Sequence, residues 1–67
     1  MKKEVINKVR KYRREAGITQ EKLANKVGVT RQTIIAVEKG NYTPSVSLAL
    51  SLSRFFKVRV EDVFKLE

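Results

Sequence analysis

The sequence predicts an all-α fold, a compact bundle of five short helices, and the placement of glycine is the first observation behind it. The three glycines, Gly17, Gly28 and Gly40, each follow a run of apolar residues at helical spacing. Glycine readily adopts the left-handed backbone that closes the last turn of many helices. Pro44 supplies the second observation, because proline fits the first turn of a helix and the residue before it avoids helical geometry.

The expected helices follow in order from these signals. The first is expected over residues 5–16, the second and third within the segment 20–39, the fourth from Pro44 to about Phe56, and the fifth over residues 60–64. No repeat, low-complexity tract or linker interrupts the 67 residues, so we expect one domain over residues 1–67.

The segment 20–39 predicts two short helices joined by a tight turn. Its apolar residues fall at helical spacing on either side of Gly28, at Leu23, Ala24, Val27, Ile34 and Val37. Ala24 is small enough for the second helix of the pair to cross over it. This is a helix-turn-helix pattern, which presents one helix outward.

Small polar residues before the helices are expected to cap them. Thr19 and Thr30 stand immediately before the two helices of this segment, and either Thr43 or Ser45 precedes the fourth helix. Each hydroxyl can accept a hydrogen bond from a free backbone N–H of the following turn.

Residues spread over nearly the whole chain carry a family resemblance. They are Asn7, Val9, Arg10, Arg13, Gly17, Ile18, Thr19, Gln20, Leu23, Ala24, Gly28, Val29, Ile34, Glu38, Gly40, Pro44, Ser45, Ala49, Leu52, Val63 and Phe64. With these residues the chain resembles the phage-repressor and Cro type of helix-turn-helix protein, the XRE family. The resemblance implies a lambda-repressor-like DNA-binding domain, usually a dimer on a palindromic operator, with the helix after Gly28 in the major groove. Two positions depart from the family pattern: Arg59, where a Ser or Thr cap is common, and Ile35, where a small polar residue is common.

The charge balance agrees with an anionic partner. Lysine and arginine total 15 against seven acidic residues, a net charge of +8. Such an excess in a small chain favours nucleic acid, here double-stranded DNA. The alternative is that the charge serves solubility alone. A chain of this size also buries only about 60% of its unfolded surface, so a partner subunit would add stability.

The chain has neither cysteine nor histidine. Disulfides, zinc fingers and Ser-His or Cys-His nucleophile arrangements therefore cannot be built. We expect no enzyme activity, no metal, no cofactor and no small-molecule ligand. The first residues are basic but lack a sustained apolar stretch, so we expect no signal peptide, no membrane span and a cytoplasmic location.

Arg13 and Glu38 are expected to form a structural ion pair. The apolar face of the first helix consists of Val5, Val9, Tyr12 and Ala16. Arg13 falls beside that face and directs a charge inward, while Glu38 opposes the helix dipole in the last turn of the third helix. A bridge between them would compensate both charges, and the resemblance implies the same pairing. The alternative is two independent surface charges.

The outward face of the third helix is expected to contact DNA bases. It carries Arg31, Gln32, Ile35, Ala36 and Lys39, opposite the apolar face. Arg31 suits O6 and N7 of guanine, and Gln32 suits N6 and N7 of adenine. Ala36 and Ile35 offer methyl groups to thymine, although Ile35 is alternatively an incidental exposed apolar residue.

Phosphate contacts are expected from polar residues around that helix and from helix N-termini. Gln20 is the first candidate, because it begins the second helix with an unpaired backbone N–H, and the resemblance implies the same contact. The other candidates are Thr33, Lys39, Asn41 and Thr43, with Arg10 and Lys11 as further basic residues on the first helix.

The last third of the chain has more apolar residues than one helix face can hide. A stripe of Val46, Ala49, Leu52 and Phe56 is expected to face the core. A second set is expected to contact a second copy of the chain: Leu48, Phe55, Val63, Phe64 and Leu66. A two-fold dimer would set two exposed helices one DNA turn apart, about 34 Å, on a palindromic site. The alternative is that Phe64 folds back over Leu48 and Phe55 within one chain.

These observations favour a sequence-specific DNA-binding transcriptional regulator that acts as a homodimer, most simply a repressor that blocks polymerase. Two other classes stay open, a protein-binding adaptor or antitoxin and a sequence-blind nucleic-acid coater, which would bind all duplexes weakly. The sequence does not define the operator, the regulated gene, the choice between repression and activation, or a controlling partner protein.

Overall fold

The computed structural model describes residues 4–67 and contains seven elements. In chain order they are β1 (Val5–Asn7), α1 (Val9–Glu15), α2 (Gln20–Val27), α3 (Arg31–Lys39), α4 (Val46–Phe56), α5 (Val60–Val63) and β2 (Phe64–Leu66). The five helices agree with the expected number, whereas the two strands pair in an antiparallel sheet that the all-α prediction did not include. Residues 1–3, on which part of the signal-peptide expectation rested, lie outside the described residues.

The helix caps follow the sequence prediction. Thr19 Oγ1 accepts a hydrogen bond from the N–H of Lys22 at 3.0 Å, and Thr30 Oγ1 accepts one from Thr33 at 3.3 Å. Of the two alternatives for α4, Ser45 is the cap, since its Oγ accepts from the N–H of Leu48 at 3.1 Å. These bonds satisfy donors that the first turn of each helix leaves free.

The predicted glycine stops are confirmed, and the structure adds a fourth stop without glycine. Gly17, Gly28 and Gly40 have φ of 72°, 77° and 80°. Lys57 ends α4 in the same left-handed region, with φ of 61°. A Cβ atom crowds the backbone in this conformation, so Lys57 is strained where glycine would not be.

Replacing Lys57 by glycine is expected to stabilise the fold by up to about 1 kcal/mol, because relief of left-handed strain outweighs the added freedom of the unfolded chain. Urea unfolding followed by circular dichroism would show a higher midpoint with an unchanged slope. The matched control is Lys22→Gly in the first turn of α2, where the backbone is right-handed helical, and it should destabilise by up to about 1 kcal/mol. A lower midpoint for Lys57→Gly would contradict the interpretation.

Strand β1 occupies residues that were expected to begin the first helix, so the prediction of a helix from Val5 was wrong. Helix α1 begins only at Val9. The side chain of Asn7 explains this boundary, because its Oδ1 accepts a hydrogen bond from the N–H of Val9 at 3.0 Å and competes with helical geometry upstream. The neighbouring β-branched residues Val5 and Ile6 also favour a strand once β2 is present to pair with them.

Helix α5 has an acidic side chain in place of the missing Ser or Thr cap. The Asp62 carboxylate accepts hydrogen bonds from the backbone N–H of Arg59 at 2.9 Å and from its guanidinium at 3.4 Å. These two bonds, the backbone bond first, hold the pKa of Asp62 below its usual range. The departure at Arg59 is thereby compensated by a residue three positions later.

All five helices contribute to the hydrophobic core. Its buried apolar residues are Val9, Leu23, Ala24, Ile34, Val37, Leu48, Leu52 and Val63. Tyr12 stacks on Phe56 with ring centroids 5.5 Å apart, and Phe55 meets Phe56 edge to face at 5.4 Å. The contact of Tyr12 with Phe56 ties α1 to α4 at the margin of the core, whereas the Phe55–Phe56 contact lies within α4.

The core face of helix α4 agrees only in part with the predicted one, since Leu52 is buried and Phe56 packs against the core as expected, but Val46 does not. Leu48 and Leu52 are buried, whereas Val46 is 75% exposed, so the prediction of a core position for Val46 was wrong. Helical periodicity places Val46 well away from the line through Leu48 and Leu52. Leu48 and Val63, predicted to contact a second copy, are only 6% and 1% exposed and belong to the core of one chain.

Candidate nucleic-acid interface

Helices α2 and α3 pack against each other through small and branched side chains. Leu23 and Ala24 of α2 and Ile34 and Val37 of α3 are at most 1% exposed. Gly28 reverses the chain between the helices, and the N–H of the next residue donates to the carbonyl of Ala24 at 3.0 Å. With this face of α3 buried, its other face is turned away from the core.

The outward face of α3 carries the residues predicted to contact bases. Arg31 and Gln32 in its first turn are exposed, and Ile35 and Ala36 one turn later are half-buried. Lys39 at the end of the helix is also exposed. The face therefore offers a cation and an amide at the N-terminal end of α3 and two apolar side chains, one of them a single methyl group, at its middle.

Arg13 and Glu38 form a buried bidentate ion pair between α1 and α3. The Arg13 Nε donates to Glu38 Oε2 at 2.7 Å, and Nη2 donates to Oε1 at 3.2 Å. The side chains are only 13% and 5% exposed. Arg13 Nη1 also donates to the carbonyl of Ile18 at 2.9 Å, so the guanidinium joins three parts of the chain. Such parallel bonds fix orientation as well as distance.

Gln20 belongs to the same network, which the sequence did not reveal. Its Nε2 donates to Glu38 Oε1 at 3.1 Å, so the carboxylate of Glu38 receives hydrogen bonds from both Arg13 and Gln20. Gln20 begins α2, and Glu38 lies near the end of α3. The network thus sets the position of the Gln20 amide relative to the outward face of α3.

One open groove collects residues from three helices beside this network. Its lining comprises Arg10, Arg13, Gln20, Ile35, Glu38 and Lys39. A neighbouring groove shares Arg13 and Gln20 and extends to Arg31. The structure therefore brings Arg10 close to the predicted contact residues, although its sequence position alone did not distinguish it from the other basic residues of α1.

The loop after α3 exposes the remaining predicted phosphate contacts. Asn41 and Thr43 are exposed, and Tyr42 between them is 46% exposed, a residue that sequence reasoning did not name. Thr33 is less free, because its hydroxyl lies 3.1 Å from that of Thr30 in a hydrogen bond. Phosphate contact by Thr33 would have to share the hydroxyl with this bond.

Asn7 connects the sheet to the end of α3. Its Nδ2 donates to the carbonyl of Val37 at 2.8 Å, while its Oδ1 accepts from Val9. Asparagine ahead of a helix is a capping signal, so part of this role could have been found in the sequence. The contact with Val37, 30 positions away, could not.

Three residues predicted for a dimer remain at the surface. Phe55 and Phe64 are half-buried against the core, and Leu66 is 68% exposed. Within residues 4–67, no helix is long and apolar enough to cross a membrane, and no cluster of carboxylates of a kind that holds a metal ion is present.

The structure contains a two-helix unit whose second helix exposes an arginine and a glutamine in its first turn, and the chain has a net charge of +8. These are the features of a DNA-binding helix-turn-helix protein. Residues 9–63 match the family model described as Helix-turn-helix, and the chain belongs to this family, which is of XRE type. Its relatives are transcriptional regulators, and the chain is a regulator rather than an enzyme.

Two relatives and one solved structure give the range of similarity. An uncharacterized HTH-type transcriptional regulator of Methanocaldococcus jannaschii is 55% identical over 58 residues, 87% of this chain and 88% of that protein. The cryptic phage CTXphi transcriptional repressor RstR of Vibrio cholerae is 33% identical over 57 residues, 85% of this chain and 51% of that protein. The crystal structure of the restriction-modification controller protein C.AhdI from Aeromonas hydrophila matches with a TM-score of 0.76 at 27% identity, covering 82% of this chain and 80% of that one.

Proposed function

We propose that the chain is a sequence-specific repressor that binds a palindromic DNA operator as a homodimer in the cytoplasm, with residues 1–67 acting as one domain. The observation that carries the proposal is the exposed first turn of α3, Arg31 and Gln32, beside the groove that contains Gln20. A helix in this position enters the major groove with its N-terminal residues against the base edges.

Base recognition is assigned to four residues of α3. Arg31 donates two hydrogen bonds to guanine, and Gln32 both donates to and accepts from adenine. Ala36 and Ile35 contact thymine methyl groups. The single methyl group of Ala36 lets the backbone of α3 approach the bases closely, and both side chains remain partly exposed on the outward face.

Phosphate contacts are assigned to the residues around α3. Gln20 contributes its backbone N–H and the second hydrogen of its amide, since the first is donated to Glu38. Lys39, Asn41 and Thr43 follow along the exposed end of α3 and the next loop. Thr33 completes the proposed set.

The homodimer is assigned to the surface part of the predicted set. Leu48 and Val63 are removed because they lie in the core, which leaves Phe55, Phe64 and Leu66. A two-fold pairing there would present two α3 helices to successive major grooves. Repression follows most directly from a dimer that occupies promoter DNA, and the name of the relative RstR supports this choice over activation.

Selection of bound duplexes from a random pool is the direct test. We expect an inverted repeat whose half-sites lie about 34 Å apart, bound at about 10⁻⁸ M or tighter, against about 10⁻⁴ to 10⁻⁶ M for unrelated duplexes. Enrichment of no motif would indicate a sequence-blind coater. Failure to bind any duplex at low salt would favour a protein-binding adaptor, and a single unrepeated half-site would contradict the symmetric operator.

A further inference from the structure

The outer edge of β2 directs main-chain groups away from its partner strand. In the β1–β2 register the N–H of Glu67 donates to the carbonyl of Glu4 at 2.9 Å. Bonded and non-bonded pairs alternate along antiparallel strands, so Phe64 and Leu66 point their main-chain groups outward. The N–H of Phe64 is already donated to the carbonyl of Val60. The carbonyls of both residues and the N–H of Leu66 therefore remain on this edge.

An edge of this kind is a template for another strand. Leu66 is 68% exposed, the most exposed large apolar side chain of the sheet. On the opposite edge, Val5 and Asn7 direct their main-chain groups outward and both are half-buried, whereas on the β2 edge Phe64 is half-buried and Leu66 is exposed. The edge of β2 is thus the more accessible of the two.

Antiparallel self-pairing of β2 about a two-fold axis has two registers that form hydrogen bonds. One places Phe64 opposite Leu66 of the second copy, and the other places Leu66 opposite Leu66. Counted over residues 64–67 of each copy, each register makes two hydrogen bonds, since the N–H of Phe64 is occupied within its own chain. The count of hydrogen bonds therefore does not choose between them.

Charge chooses the second register. The first sets Lys65 directly opposite Lys65 of the second copy, which is repulsive. The second sets Lys65 opposite Glu67 of the second copy, twice per dimer by symmetry. Within one chain the N–H of Glu67 donates to the carbonyl of Glu4, which places the two glutamates opposite each other, so a lysine from the second copy would also relieve a pair of like charges.

We infer that two copies of the chain join their β2 strands antiparallel about Leu66, in a four-stranded sheet of order β1-β2-β2-β1. This inference rests on the proposed homodimer and names the contact that holds it. The exposed Leu66 side chains meet at the two-fold axis, and the Lys65–Glu67 pairs fix the register.

Charge reversal tests the register by sedimentation equilibrium at low ionic strength without DNA. Lys65→Glu or Glu67→Lys alone should raise the dimer dissociation constant at least about tenfold, because both cross-strand pairs become repulsive. The double variant Lys65→Glu/Glu67→Lys should return to near the wild-type value. Lys22→Glu and Glu15→Lys make the same charge changes at exposed positions outside the sheet and should leave the dissociation constant unchanged.

A second measurement is independent of charge. In a dimer of labelled and unlabelled chains, the Hα atoms of Lys65 and of Glu67 from the second copy should give an intermolecular NOE, because Cα atoms in such non-bonded pairs lie about 4.5 Å apart. A wild-type dimer without this NOE and insensitive to the reversals would overturn the strand pairing while leaving the proposed homodimer standing. If Ile6→Lys weakened the dimer and the charge reversals did not, the contact between the two copies would lie at β1 and not at β2. A monomeric wild type would overturn both proposals.

Discussion

Removing the side chain of Glu38 is expected to lower the free energy of unfolding by about 3 kcal/mol or more. This is one of the largest effects that we expect from a single substitution in this chain. Glu38→Ala leaves the guanidinium of Arg13, only 13% exposed, without its carboxylate partner. It also leaves the Gln20 amide without an acceptor. Arg13→Ala is expected to have a similar effect, because it leaves a carboxylate that is 5% exposed without its cation, with the Gln20 amide as its remaining donor. Thermal unfolding should show midpoints lower by several degrees.

A double-mutant cycle separates the interaction energy of Arg13 with Glu38 from the effects of the two single substitutions. The variant Arg13→Ala/Glu38→Ala should lose much less stability than the sum of the single variants, because neither charge is then left unpaired. The matched control is Arg59→Ala, since the Arg59 guanidinium is 79% exposed in its pair with Asp62 and should contribute little. Strict additivity of Arg13→Ala and Glu38→Ala would contradict coupling between the two residues.

Substitution of the proposed base contacts is expected to reduce operator affinity by about 1 to 3 kcal/mol each and to relax the choice of one base pair. Arg31→Lys is the sharper form of this test, because lysine keeps the charge but loses the two-pronged geometry that guanine recognition requires. Non-specific binding should then stay nearly unchanged. Gln32→Ala should act in the same way at a different base pair.

Gln20→Ala should behave differently, with specific and non-specific duplexes weakened together, because a phosphate contact carries no sequence information. Competition binding against randomised operators gives both quantities for every variant. Asn25→Ala, an exposed amide on α2 outside the proposed contact residues, is the matched control for loss of an amide and should change neither quantity. A changed sequence preference in Gln20→Ala would mean that the orientation assigned to α2 is wrong.

Local signals in the sequence accounted for most of the helical framework. Thr19, Thr30 and the glycines each act within one turn of their own position, so their caps and stops could be derived without knowledge of the fold. The pairing of Arg13 with Glu38 is a long-range contact, yet two unfavourable placements and the family resemblance together predicted it. The identity of the exposed face of α3 followed from helical periodicity alone.

The misses share a physical cause, which is competition that only the folded chain resolves. Val5 continues the helical pattern of α1, but a strand forms because β2 arrives from the other end of the chain. Val46 and Leu48 are both apolar, and the packing angle of α4 decides which is buried. Lys57 adopts a left-handed backbone conformation, and the absence of glycine at this position meant that the sequence did not predict it. The bond from Gln20 to Glu38 depends on how α2 approaches α3.

The sheet also bears on the order in which the contacts of the chain form during folding. Its pairing of Val5 with Leu66 joins positions 61 apart, so it closes nearly the whole described chain into a loop. The entropy of closing such a loop is lost before any strand hydrogen bond forms, whereas α2 and α3 meet across a turn of a few residues. We therefore expect structure to form first at the centre of the chain and to extend toward its ends. Because Asn7 follows β1 directly and holds the carbonyl of Val37, opening of the sheet releases a restraint on the last turn of α3.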